Sequence, residues 1–349
     1  MPKPPPPLAP PQPRPDRRGL IFGALLGMCV LLAVAYIAAR AMFVASPPPR
    51  AADTPADPAV LARVLSKPHL VFLHSPGGDS YRQVAVVPLD ALDGERYLAP
   101  LMCQRVAMAA SGGLCMGAAQ TASTFDAHFV PGPSVQQPGT PTRARVAPTG
   151  DLGTMTWFVA GHSYADASFS TQTVLVDPRS GQTVADLEQF TILKDEQPFR
   201  AVDFNFWGVT FASDANRFYA TLASGGRTYL LQGDVAQRTA RVLRENVECP
   251  SLSPDGTRLV FKKRPDPESP RAWRLAILDL QTMAETMVPG ENHSVDDQAE
   301  WLDDNHVLYA LPDEGPPATI AQDIWVATLD GSTAPKKLLT GALSPTVVR

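Results

Sequence analysis

A chain of 349 residues with 44% hydrophobic and 19% charged content has enough apolar mass to bury a sizeable core in one or two domains. That excludes a chain disordered throughout. Its 30 basic and 35 acidic residues leave a net charge of −5, so no overall basic field draws nucleic acid by counterion release, and nucleic acid is not an expected partner.

From Gly19 to Ala39 no side chain is charged, and the run ends at Arg40. At about 1.5 Å per residue, roughly 21 residues cross a hydrocarbon core of ~30 Å, so residues 19–40 read as one transmembrane helix. Lys3, Arg14, Arg17 and Arg18 precede it against the single acid Asp16, while only Arg40 and Arg50 follow closely. This places the N-terminus in the cytoplasm and the rest of the chain outside, at the cell membrane. The alternative is a signal peptide cut at Ala39-Arg40-Ala41, giving a secreted chain, but signal h-regions are shorter, about 7 to 15 residues. Cys29 lies inside the apolar run and reads as a small intramembrane hydrophobe, not a lipidation site. Many of the 36 prolines flank the helix, in a tail over 1–18 and a stalk over 41–66. Both are expected to be extended, polyproline-like and unpacked.

From His69 on, within a domain over 67–349, short apolar runs alternate with turn residues and no helical period is sustained: an all-β pattern. The clearest unit runs from Cys249 to Val288 as strand, turn, strand, loop, strand, turn, strand. In its first turn, Ser253-Pro254-Asp255-Gly256, Pro254 presets φ, Asp255 bonds to the chain and Gly256 supplies a left-handed residue. Leu259 and Phe261 then face one side and Val260 the other. Weaker copies run from Trp301 through Asp323–Ala327, with Asn305 in the left-handed position, from Phe211 through Thr228–Gly233, and from Ala147 through Thr173–Asp177. Two more fit by spacing, Cys103–Val130 and His69–Leu98, the latter lacking a first strand. Ala342–Val348 is an opening strand with no unit after it. Paired beside His69–Ser75, it closes a six-bladed β-propeller of roughly 45 to 50 residues per blade and removes the exposed edge.

Ser253-Pro254-Asp255-Gly256-Thr257-Arg258-Leu259-Val260-Phe261, followed by Ile277-Leu278-Asp279-Leu280, resembles the repeat of TolB-like propellers, and Asp323–Val326 with Lys337–Thr340 fit its later strands. The resemblance implies an extracytoplasmic, non-enzymatic interaction domain whose face or channel holds a protein or cell-envelope partner. Bacterial TolB proper carries an α/β domain before its propeller, for which this chain has no room, so a role in outer-membrane maintenance is not carried over.

Cys103 and Cys115 flank a hairpin tip at Ala110–Gly113 and stand twelve apart; an oxidising exterior allows a disulfide, the alternative being two buried thiols, with Cys249 unpaired either way. Gly161-His162-Ser163-Tyr164-Ala165 falls one residue short of a nucleophile elbow and sits between two strands instead of before a helix. His69 and His74 are five apart on one strand and point to opposite faces. The acids Asp296, Asp297, Glu300, Asp303 and Asp304 lack the spacing of a calcium loop and read as a solvated stretch. No catalytic residue, metal ligand or cofactor is therefore expected. Asp203, Glu248 and Glu300, on or beside first strands, are the candidate partner-facing residues of the funnel. Two further readings are an extracytoplasmic sensor binding a small ligand or ion there, and a propeller hydrolase, which would require metal ligands converging on the axis.

Overall fold

The computed structural model describes residues 25–34, 53–55, 57–75, 79–118, 121–159, 170–266, 273–313 and 321–349. It divides into two units, 1–50 and 51–349. In the first, residues 25–34 are helical, inside the predicted span of 19–40, whose remainder lies outside the described residues together with the 1–18 tail. Among the described residues no helix is long and apolar enough to cross a membrane.

The second unit is a six-bladed β-propeller. From the channel outwards, blade 2 is built of Arg105–Ala109, Gly112–Met116, Thr121–Asp126 and Pro131–Gln136, and blade 3 of Thr140–Val146, Gly153–Val159, Ser170–Val176 and Thr183–Asp186. Blade 5 is Glu248–Leu252, Arg258–Lys263, Arg274–Asp279 and Glu285–Met287; blade 6 is Glu300–Asp303, His306–Pro312, Gln322–Thr328 and Lys336–Leu339. Blade 4 starts its four strands with Asn205–Phe211 and ends them with Thr239–Glu245, then adds Thr191–Lys194 in parallel and Gln197–Phe199 outside that. Blade 1 takes its innermost strand from the C-terminus: Ala342–Val348 pairs antiparallel with His69–His74, His69 opposite Val348 and His74 opposite Ala342. Strands from both ends of the propeller thus close the ring, as the orphan opening strand predicts.

Alternation explains the packing. Leu70 and Phe72 of blade 1 pack with Leu308, Ile324 and Val326 of blade 6, while Val71 and Leu73 between them pack with Val106 and Met108 of blade 2. Each blade is apolar on both faces because each is sandwiched by two others. In blade 5, Leu259 and Phe261 meet Tyr219 and Leu230 of blade 4, and Val260 meets Trp301 and Tyr309 of blade 6, as the sequence pattern predicts.

The Ser253–Gly256 turn closes with Gly256 at φ +72° and its N–H on the Ser253 carbonyl at 2.8 Å, while Asp255 accepts from the Thr257 N–H at 3.0 Å. Blade 6 differs from expectation. Asn305 is not left-handed; its N–H and side chain instead bond Asp303 and Asp330, so side chains hold the turn without a positive φ.

The stalk predicted over 41–66 is corrected at its C-terminal end. Asp53–Pro55 forms a fifth, parallel strand of blade 1, and Pro58–Leu65 is a helix, α1. Asp57 caps it by accepting from the Ala59 N–H at 2.8 Å, and Pro58 sits where a missing N–H costs nothing. Leu61 and Val64 are buried against Val71, Leu73, Val84 and Val86.

Candidate functional site: the axial channel

All six innermost strands run the same way, so the channel has one mouth at their starts and another at their ends. The mouth at the strand ends is the smaller, about 420 Å³, and is bordered by Ala109, Val146, Phe211, Leu252, Trp301 and Val348, one residue from each blade. The mouth at the strand starts holds about 1030 Å³, bordered by Arg105, Thr142, Arg143, Phe158, Trp207, Glu248, Lys262, Arg264, Trp273 and Asp296 among others.

In the smaller mouth, Arg145 of blade 3 reaches across the axis to Glu300 of blade 6. Arg145 also donates to the Ser251 hydroxyl at 3.3 Å and the Ala299 carbonyl at 3.1 Å, and the second Glu300 oxygen accepts from the Val347 N–H at 3.2 Å. Both side chains are only 14% and 12% exposed. Burial holds the Arg145 pKa down to about 10, against the pull of the nearby Asp297 charge. The paired charges line the inner end of the smaller mouth.

Bulges in the innermost strands shape the wider mouth. In blade 4 the register shifts between Trp207 and Thr210, and Gly208 takes φ +61°; in blade 5 it shifts between Glu248 and Ser251, and Cys249 takes φ +50°. The two bulges touch: a Cβ on Gly208 would stand 2.6 Å from the Cys249 Cα, so only glycine fits. In blade 3 the bulge leaves Thr142 with no partner on the next strand. Its carbonyl turns instead to two arginines, accepting from Arg105 Nε at 2.6 Å and from Arg143 at 2.9 Å. The Gln104 carbonyl is shared in the same way by Arg105 at 2.9 Å and Arg82 at 3.3 Å.

Two carbonyls therefore string three guanidinium groups together, the nitrogens that share each carbonyl being no more than about 6 Å apart. At an effective dielectric of about 20, two like charges repel by at most roughly 3 kcal/mol at that distance. Burial and the Arg143 charge together lower the Arg105 pKa to about 10; Asp297 opposes the shift from beyond ion-pairing range. Among the described residues no carboxylate lies within 4.0 Å of Arg82, Arg105 or Arg143. The acids of this mouth belong to the opposite wall: Asp296 pairs with Lys262 at 2.7 Å, Glu248 lies 4.0 Å from Lys262 and 3.9 Å from Arg264, and Glu245 pairs with Arg227 at 3.0 Å. Trp273 packs under Lys262 and Arg264, 4.8 and 5.0 Å from its ring centre.

No protein-family model matches this chain, and no curated protein matches it by sequence. Solved structures do match. TolB from Acinetobacter baumannii superposes with TM-score 0.58 at 15% identity, over 82% of this chain and 68% of that one. A TolB-designated protein from Agrobacterium tumefaciens does so with TM-score 0.51 at 12% identity, over 79% and 90%. A chain from a nidogen–laminin complex gives 0.53 at 10% identity, over 80% and 98%. The fold is that of the TolB propellers.

On this TolB-like scaffold the three predicted funnel residues separate. Glu248 lines the wider mouth. Glu300 is inside the channel but committed to Arg145, so it presents no free carboxylate. Asp203 stands behind the wider mouth: it caps the blade 4 turn at 224–226, accepting from the Gly225 N–H and the Ser224 hydroxyl, both at 2.7 Å, and so holds Ala223, Gly226 and Arg227 on the border of that mouth. Those donors, the Gly225 N–H foremost, lower its pKa. The acidic stretch is dispersed likewise, with Asp303 on His306 and Asp296 on Lys262. Cys103 and Cys115 are joined in a disulfide with Cα atoms 5.4 Å apart; Cys249 is a buried free thiol beside Arg143. The Gly161–Ala165 segment lies outside the described residues. The arginines were missed, although Arg143 and Arg145, two apart on a first strand, are the period-two signature of a basic channel face.

Proposed function

We propose that this chain is a membrane-tethered, non-enzymatic interaction module that receives a partner protein or cell-envelope component at the wider mouth of its propeller. The observation carrying the reading is the composition of that mouth: tryptophan, phenylalanine and arginine converge on one open concavity of about 1030 Å³, the residue types that dominate protein–protein contacts. The TolB-like fold agrees, and so does the nidogen–laminin match, whose propeller-sized chain is found in a protein complex. Tethering rests on the 19–40 run, whose described residues include Leu25, Leu26, Met28, Val30, Leu31, Leu32 and Val34, all exposed, an arrangement that lipid satisfies and water does not. The domain then stands on the extracytoplasmic side. The mouth's volume also suits a small ligand, which supports a sensor as the second reading.

A photoreactive residue at Phe158, 43% exposed on this mouth, and a control at Met287 on the outer strand of blade 5 test the reading in intact cells. Capture of one protein at Phe158 but not at Met287, abolished by Trp273→Ala, is expected. Identical capture at both sites, or none from a folded chain, refutes it.

A further inference from the structure

We infer that the wider mouth holds an anion site in which Arg143 and Arg105, backed by Arg82, grip a carboxylate on an acidic segment of the partner protein. This deepens the interaction reading and rests on it. The three guanidinium groups are joined through the Gln104 and Thr142 carbonyls, so each spends donors on neutral acceptors and retains others, and Nε of both Arg82 and Arg143 is buried with no hydrogen-bond partner. An arginine fork with unspent donors fits a carboxylate with two hydrogen bonds in one plane.

The local charge balance points the same way. Lys262, Arg264 and Arg227 on the far wall already face Asp296, Glu248 and Glu245, so the positive charge left over is concentrated on the wall built by blades 1 to 3. Asp297 pulls on both Arg105 and Arg143 from beyond 4.0 Å: at Arg105 burial and the Arg143 charge outweigh it, whereas at Arg143 the Cys249 side chain and Asp297 together outweigh burial and raise the pKa, so the uncompensated charge is centred on Arg105. Arg143 and Arg105 border the open cavity, whereas Arg145 below them is already spent on Glu300; an incoming anion therefore meets the unpaired arginines first and is stopped at the ion pair. Like charges held this close without a counterion are costly, and a bound carboxylate removes the cost.

The test uses the full-length chain in detergent micelles and a fluorescent peptide alternating Glu and Gly, compared by anisotropy with its Gln counterpart and with unlabelled succinate as competitor. The Glu peptide is expected to bind about ten-fold or more tighter than the Gln peptide, with affinity falling as salt rises, and Arg143→Gln to erase about ten-fold of it. Arg241→Gln, on an outer strand of blade 4, is expected to leave binding unchanged. Should Arg143→Gln fail to fold, Arg105→Lys keeps the charge and loses the fork, and is expected to weaken the Glu peptide several-fold, about three-fold or more. Equal binding of the two peptides, binding of neither, or no loss in these variants overturns the site. Succinate binding as tightly as the Glu peptide overturns the partner segment as the source of the carboxylate. Capture at Phe158 that persists in Arg143→Gln alongside failure of the Glu peptide sinks the anion site and leaves the interaction reading; absence of capture in the native chain sinks the latter.

Discussion

Replacing Glu300 by Ala leaves Arg145 buried at the inner end of the smaller mouth with only the Ser251 hydroxyl and the Ala299 carbonyl as acceptors. It also orphans the Val347 N–H in the strand that closes the ring. Removing one partner of a buried ion pair costs about 3–5 kcal/mol, and the low end applies because water in the channel can reach the guanidinium. With roughly 2 °C of Tm per kcal/mol in a domain this large, Glu300→Ala is expected to lower Tm by about 6 °C. Arg145→Met with Glu300→Leu removes both charges and fills the space with apolar groups, so its loss is expected to be smaller than that of either single variant. Urea unfolding of the native chain, Arg145→Met, Glu300→Leu and the double variant, followed by near-UV circular dichroism, gives the coupling energy, expected at about 2 kcal/mol or more. Single variants each costing under about 1 kcal/mol, or a double variant costing their sum, would show that the two charges are independently solvated and refute a closed channel.

His69 is buried on the strand that pairs with the closing one, its Nδ1 on the Lys67 carbonyl at 2.7 Å, and burial lowers its pKa below the usual 6.5 despite that bond. The stability it contributes is complete above pH 6.5 and is lost as the pH falls through that value towards the folded-state pKa, so a thermal melt at pH 5 is expected to fall further below one at pH 7.5 in the native chain than in His69→Gln. Gly208→Ala forces a methyl to within 2.6 Å of the Cys249 Cα and is expected to cost about 2 kcal/mol or more in urea unfolding; a neutral result would show that the paired bulges are not fixed. Leu61→Ala is expected to cost about 2 kcal/mol by the same measurement, whereas a loose linker would register no change. Reducing the Cys103–Cys115 bridge is expected to lower stability by about 2–3 kcal/mol, read as the difference in melting with and without reductant.

What the sequence made legible follows from chemistry that is local. The Ser253-Pro254-Asp255-Gly256 turn carries its own geometry, and the alternation of Leu259, Val260 and Phe261 announces a sheet packed on both faces, so the repeat and the closing strand could be read without a structure. Blade 2's last strand was obscured because Pro131-Gly132-Pro133 has poor strand propensity; as an exposed edge it needs little. The extra hairpin 191–199 was missed because Asp195 and Glu196 hold the left-handed positions that Asn-Gly ordinarily signals. Helix α1 did carry a start signal, Asp57-Pro58, but a proline-rich neighbourhood concealed it.

The site was less legible for a different reason. Which acids of a propeller face the axis depends on where its innermost strands bulge, and a bulge at Thr142 or Cys249 has no sequence mark because neither residue is a glycine. The Thr142 bulge does two things at once: it turns a carbonyl out of the ladder to hold Arg105 and Arg143 together, and it moves the following residue by one position. Carboxylates then serve as internal counterions, Glu300 to Arg145 and Asp296 to Lys262, and the unmatched charge left at the surface of the channel is positive although the chain as a whole carries −5. Net charge therefore misleads about this mouth. What approaches it is selected by the local excess over blades 1 to 3, and the ion pair beneath fixes how far it can enter.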